Sequence, residues 1–454
     1  MKPAFRPDAI SGNSKKKAQT AAASFEDNCT PSGYAQTLFA SLGLEWQLPL
    51  TDQRQTGELW AQSGAMFLSG YANEPGRMCP APLAACAQGA WLALDALVNE
   101  KECNQFDAHL LLGERAAIAG LSRQGRVSPG GACQLLEAAD GMLALNLPRE
   151  DDYELLPAWL NGELTDPAEL SAILKRHKLD DLIERGRLLG LAVAPMSPPE
   201  ICTNWFHAKK IHPPVNRKRK TPLVIDLSAL WAGPLCTQLL SECGARVIKV
   251  ESVSRPDGAR SGPAEFYNLM NTGKQSVALD LTTFEGRQQL RRLLTVADIV
   301  VESSRPRALE QMGIQAEELL AENPGMVWLS VTGYGRRSPQ RDWIAYGDDV
   351  GVACGLSWLM GGLQGDPVFC GDAIADPLTG LHGAFLALAS WLNGGGQLLD
   401  ISLHSVVAHC ISVGNVAPVE GGQQLDVARP VARKPRGIAS ALGADTDSVL
   451  GEFL

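Results

Sequence analysis

The chain has 454 residues, of which 45% are hydrophobic and 20% charged, and a formal net charge of −10 at pH 7. That length exceeds one ordinary domain, and the negative balance argues against nucleic acid as the main partner while leaving room for a phosphorylated small ligand. No apolar run is long enough to span a bilayer and the first residues lack the layout of a signal peptide, so no membrane partner is expected.

In chain order, residues 1–30 are polar and Lys/Ala-rich, and are expected to form a disordered tail. The 11 cysteines are scattered without metal-ligand spacing, which points to reduced thiols in a cytoplasmic protein and to no metal site. Residues 31–207 read as a helical segment plus a small domain, with strand signals at Met142–Leu147 and Leu191–Pro195. Residues 208–221 carry Pro213-Pro214 and a Lys/Arg run, the pattern of a solvated linker; a nuclear signal or a patch for a ligand phosphate are the sharper readings.

From Pro222 the pattern changes to buried strands alternating with helices. Leu223–Leu227, Arg246–Glu251, Ser276–Asp280, Ala297–Glu302 and Met326–Val331 are the strands, with helices from Gly233-Pro234 through Cys243 and from Glu285 to Leu294. Such alternation predicts parallel pairing with helices on both faces. The fold class is therefore α/β: a Rossmann-like doubly wound sheet over 222–454, with a smaller, mainly helical α+β domain in the N-terminal half. Gly394-Gly395-Gly396 reads as a helix terminator before a strand over Gln397–Ile401, and no Gly-x-Gly-x-x-Gly follows the first strand, which argues against a nicotinamide cofactor.

An internal repeat crosses this division. Gly64–Gly89 aligns without a gap on Gly355–Gly380, at a constant offset of 291 residues, and Cys79 falls on Cys370. Past Gly89 a small gap brings Asp107 onto Asp400 and Leu110 onto Leu403. Asp376, followed by Pro377 and a long apolar run, stands where a helix begins and reads by itself as an N-cap. Its counterpart is Ala85.

Six ordered blocks give these residues a family likeness: Asp226–Pro234, Gly244–Glu251, Gly273–Leu281, Glu302–Pro306, Gly333-Tyr334-Gly335 and Asp376–Gly380. Residues 222 onward resemble the class III CoA-transferase family, which includes formyl-CoA transferase, carnitine CoA-transferase and alpha-methylacyl-CoA racemase. Arg126–Gln134, Ala139–Gly141 and Gly190–Met196 resemble that family's small domain, and Leu442–Leu450 its chain end, so the domain order looks permuted or half-duplicated.

The resemblance implies an acyl-CoA and a small carboxylic acid as substrates, with no permanently bound cofactor. It makes Asp376 the nucleophile, held ionised by the helix amides. The turn Leu230, Trp231, Ala232, Gly233 and Pro234 would bind CoA with Ser252, Arg305 and Met312, although Ser303-Ser304 replaces the family's usual Asn-Phe. Gly130 and Gly131 are candidates for a lid, and Tyr346 and Asp348 for the acyl pocket. A racemase of the same family, or an inactive CoA-binding protein, are the alternatives. The known racemases use a His base, and Ala345–Asp349 contains none, which favours transfer. In that family two subunits interlock because each chain runs large, small, then large domain; with the small domain first, a homodimer is expected that still exchanges domains but need not be topologically linked.

Overall fold

The structure, a computed structural model, describes residues 29–44, 52–98, 107–164, 166–216, 219–362, 366–414 and 425–453. The expected tail therefore lies almost wholly outside the described residues. Among the described residues there are ten strands: β1 (Cys133–Glu137), β2 (Met142–Asn146), β3 (Ala192–Pro195), β4 (Phe206–Lys210), β5 (Leu223–Leu227), β6 (Arg246–Ser252), β7 (Gln275–Leu279), β8 (Ile299–Glu302), β9 (Val327–Thr332) and β10 (Gln397–Ser402).

The large sheet has the order β4-β10-β9-β8-β5-β6-β7, parallel throughout except for β4, which runs antiparallel to β10. Successive side chains of one strand point to opposite faces, and here both faces are covered. Val224, Ile299 and Leu329 join one core with the helices Ala232–Glu242 and Ala375–Leu392, while Leu223, Ile225, Val300 and Trp328 join the other with the helix Phe284–Thr295. The chain adds β6 and β7 on one side of β5 and β8, β9 and β10 on the other. The crevice at the carboxyl ends of β5 and β8 is thus the topological switch point, where open α/β sheets bind ligands.

Two boundaries differ from expectation. The stretch assigned to a linker from residue 208 begins as β4, whose Lys209 and Lys210 pair with Leu398 and Gln397. An edge strand needs a partner on one side only and tolerates exposed lysines, so its sequence looks like a charge run. The N-terminal helices Pro31–Ser41 and Leu83–Asp95, assigned with the small domain, instead share one hydrophobic core with the Ala375–Leu392 helix. Only β1-β2-β3 and the short helices between β2 and β3 form a separate layer, around Leu143, Trp159 and Leu182.

The first repeat copy is more complete than its sequence suggests. Gly89 receives the helix Pro31–Ser41 so closely that an added Cβ would lie 2.5 Å from Pro31 O and 3.0 Å from Tyr34 Cβ. Gly380 receives the helix Ala232–Glu242 in the same way, at 2.9 Å from Ala232 O and 3.0 Å from Leu235 Cβ. Both approaching helices have 11 residues. The helices Thr56–Gln62 and Gly347–Ala353, 7 residues each, also lie at the offset of 291. The first copy is therefore the helical layer of the second, without its own parallel sheet.

Among the described residues no helix is long and apolar enough to cross a membrane, and no cluster of His, Cys, Asp and Glu has the makings of a metal site.

Candidate active site

The helix Ala375–Leu392 is apolar on all sides because the Leu83–Asp95 and Ala232–Glu242 helices and the sheet enclose it. Its start departs from the expected N-cap. Ala373 takes a left-handed conformation (φ 42) and Ile374 is already helical, so Asp376 is the second residue of the helix and Pro377 the third. Proline is tolerated in the first turn, where its missing N–H has no partner to lose. Asp376 consequently points out of the first turn towards the other helix entering the crevice, and the Ala232 N–H reaches its carboxylate. The candidate nucleophile and the candidate CoA turn thus meet.

Glycine 347 makes that approach possible: a Cβ there would lie 2.2 Å from Asp376 Oδ2 and 2.5 Å from Ala373 O. Gly347→Ala is expected to push the carboxylate aside and lower kcat/KM for any reaction that uses it by about 10²-fold, since displacements near 1 Å are that costly. Steady-state kinetics beside a thermal melt checks it; an active Gly347→Ala enzyme would show the fit to be incidental.

Three carboxylates share the site. Asp348 Oδ1 accepts the Ala373 N–H at 2.7 Å, which fixes the strained entry to the helix. Asp372 is fully buried and is held by the Arg115 guanidinium, with Nε to Oδ2 at 2.8 Å and a second bond from Nη2 to Oδ1. The arginine lies over the Trp231 ring, 5.7 Å from its centroid. Burial raises Asp376 to about 7; Arg115 and the Ala232 N–H oppose this, while Asp348 and Asp372 add to it. Asp348 is raised to about 6, chiefly by burial and then by Asp372. The expectation that helix amides hold Asp376 ionised is thereby corrected: desolvation and like charges outweigh them. A partly exposed edge of the side chain moderates the effect.

The remaining candidates divide. In the CoA turn, Leu230 adopts a left-handed φ of 69 and is anchored by its N–H to Asp257 Oδ1 at 2.9 Å. Trp231 is buried edge-on to Phe266. The Ala229 N–H donates to Ser303 Oγ at 3.0 Å, joining the ends of β5 and β8, so a serine at 303 has a place in this crevice. Gly233 has no room for a Cβ, which would fall 2.2 Å from Ser228 Cβ, and Pro234 follows it in the first turn.

Arg305 begins a short helix and is depressed by burial and by the like charges of Arg307, Arg149 and Arg255. Arg149 and Arg255 also act on Tyr346, so a cationic rim borders Tyr346. Ser252 ends β6 with its hydroxyl 3.0 Å from that of Ser254, and Met312 packs against the core on the other face of the sheet. Gly130 lies beside the Arg115–Asp372 pair, and Gly131 occupies open space at φ 82. Their loop is a turn closed by Gly131 N to Ser128 O at 2.8 Å, and Gln124 holds the carbonyls of Ser128 and Pro129. Tyr346 caps the helix that carries Asp348, and Asp349 in the same turn binds Asn146 of β2 at 2.9 Å.

Residues of the small domain therefore reach the site within one chain. Arg115, Asp372 and Gly347 were not singled out from the sequence. Asp372 had a signal, since the repeat places Ala81 opposite it; Arg115, at a distance of 257 residues from its partner, had none.

A cavity of about 470 Å³ lies elsewhere, at the carboxyl ends of β9 and β10, lined by Arg187, Tyr334, Trp343, Asp400 and His404 among others. Its Arg187 stacks on Trp343 at 3.6 Å and its Asp400 accepts the Arg336 N–H.

Fold and site together define a doubly wound α/β protein with a partly buried carboxylate at its switch point. Residues 222–437 match the family model described as CoA-transferase family III. An acyl-CoA transferase of Fusarium pseudograminearum is 36% identical over 199 residues, 40% of this chain and 44% of that protein. A succinate–glutarate CoA-transferase of Agrobacterium fabrum is 33% identical over 219 residues (44% and 55%). Formyl-CoA:oxalate CoA-transferase of Escherichia coli is 32% identical over 208 residues (42% and 50%). The chain spans about half the length of the curated relatives it matches. A crystal structure of a CAIB/BAIF family protein from Brucella suis is 33% identical, covering 42% of this chain and 55% of that one, with a TM-score of 0.38.

Proposed function

We propose that the protein moves CoA from an acyl-CoA thioester to a small carboxylic acid, with Asp376 as nucleophile. The observation that carries this reading is the close packing of the Asp376 helix, at Gly380, on Ala232 and Leu235 of the helix that the Leu230–Pro234 turn opens, so that the Ala232 N–H favours the ionised Asp376. The carboxylate would attack the donor carbonyl and expel CoA thiolate, leaving an aspartyl mixed anhydride. Attack of the thiolate on the aspartyl carbonyl releases the donor acid and forms an aspartyl-CoA thioester. The acceptor carboxylate attacks that thioester, expelling CoA, and the thiolate then takes the acyl group from the new anhydride, restoring Asp376. Each covalent step replaces a direct exchange that water would intercept.

Incubation with a panel of acyl-CoAs, hydroxylamine trapping and peptide mass spectrometry tests the scheme: modification at Asp376 is expected. CoA binding without adduct or exchange points to the binding-protein reading. A racemase has one observation in its favour, namely that Asp348 lies within electrostatic reach of Asp376 with its own affinity for protons raised; exchange of the alpha proton with solvent identifies it.

Only the carboxylate form attacks, so kcat/KM is expected to rise about tenfold per pH unit below about 7 and to level off above it. Rates measured from pH 5 to 9 check this, and a flat profile excludes Asp376 as the titrating nucleophile.

A further inference from the structure

We propose that Arg115, supplied by the repeat copy that has no acid opposite Asp376, is the positioning residue of the Asp376 site and makes the two copies one catalytic unit. The offset that aligns the copies places Asp348, Asp372 and Asp376 opposite Gly57, Ala81 and Ala85. These three acids belong to the second copy and have no acidic counterpart in the first, where only Asp349, behind them, is matched by an acid, Glu58. The cation runs the other way. Asp107 and Leu110 fall on Asp400 and Leu403, so Arg115, in the helix Leu111–Ala119, falls on Ala408. Each copy thus lacks what the other provides.

The two copies also touch at equivalent residues. Cys79 and Cys370 occupy the same repeat position, and their free thiols lie close enough for Cys79 to raise Cys370, the contact expected on a local two-fold axis. The Gly371 N–H donates to Ser69 Oγ at 2.9 Å just before Asp372, tying the acid-bearing turn to the first copy. Arg115 is locked on three sides by a bidentate bond to Asp372, the face of Trp231, and Gly130, whose Cβ would stand 3.1 Å from Nη2. Asp376 faces Arg115, Asp348 and Asp372, with Asp349 behind Asp348. Arg115 is the cation that opposes this negative charge, and by gripping Asp372 it fixes the turn from which the nucleophile helix starts.

The inference rests on the nucleophile reading, yet its test needs no turnover. The titration of Asp376 is followed in the free protein by carboxyl ¹³C NMR of aspartate-labelled chain, with Asp376→Asn identifying the signal. Arg115→Met alone leaves Asp372 buried without a partner and endangers the fold, so the comparison uses variants that remove that charge as well. Asp372→Asn is expected to lower the apparent pKa of Asp376, because a like charge is lost. Arg115→Met with Asp372→Asn is expected to titrate about one unit or more above Asp372→Asn alone, and Arg115→Lys with Asp372→Asn close to it, since the charge is restored. Equal titration in all three variants overturns the proposal, whereas normal titration with no aspartyl adduct from any acyl-CoA overturns only the transferase reading.

Discussion

Asp376→Asn is expected to abolish CoA exchange, with kcat/KM falling at least about 10³-fold, equivalent to about 4 kcal/mol of barrier. The amide is nearly the same size, so the helix start and its neighbours stay in place while the attacking oxygen loses its charge. The same change is expected to stabilise the protein at alkaline pH. A carboxyl whose folded pKa is raised to about 7 from an unfolded value near 3.9 binds its proton more tightly when folded, so its burial is harmless below about pH 4. Between about pH 4 and 7 it becomes destabilising, and it stays so above. Asp376→Asn removes that penalty, a gain of about 1–2 kcal/mol at pH 8 after allowance for the exposed edge, and no gain at pH 4. Urea titrations at the two pH values, beside an assay with any active acyl-CoA, measure both effects. An inactive variant that is also less stable at pH 8 would indicate a structural acid.

The largest loss of stability is expected at Lys274→Met. Lys274 is buried beneath the Leu230–Pro234 turn, with its ammonium within hydrogen-bond distance of Asp226 Oδ2 (3.0 Å), Pro234 O (3.0 Å), Thr237 Oγ1 (2.7 Å) and Asn271 Oδ1 (3.1 Å). Burial depresses the lysine to about 8, while at Asp226 the Lys274 and Lys249 charges outweigh burial and hold it near 2. Removing the ammonium leaves a fully buried carboxylate with Lys249 as its remaining cation, a change that costs about 3–5 kcal/mol. Combining Lys274→Met with Asp226→Asn is expected to recover part of that loss, because the uncompensated charge goes too. Denaturant midpoints of the single and double variants decide; a loss below about 1 kcal/mol for the single change shows that the pair is not what supports the turn.

The doubly wound half was legible because parallel strands covered on both faces are continuous apolar runs, as in Leu223–Leu227 and Val327–Thr332. β4 was hidden by its charge, since His207, Lys209 and Lys210 line an edge. The docking of Pro31–Ser41 and Leu83–Asp95 into the main core was hidden for another reason: an apolar helix shows that it is buried, not against what. At the candidate site, Asp376 and its turn were singled out through the ordered blocks. Its place one step inside the helix was not, because that depends on the left-handed Ala373, a conformation that alanine does not announce. Asp348 was named for the acyl pocket; the structure gives it the further task of holding the Ala373 N–H.

Cys79 and Cys370 meet as two faces of a symmetric pair would, but they are encoded separately. In an assembly of identical subunits any substitution appears on both sides of the axis, so a helix start cannot carry an acid on one side and a methyl group on the other. Here residue 85 varies without residue 376, and the guanidinium that serves one side need not be tolerated on the other. Fusion within one chain turns a mirrored pair of duties into a division of labour, in which one half keeps the reacting groups and the other is free to specialise in holding them.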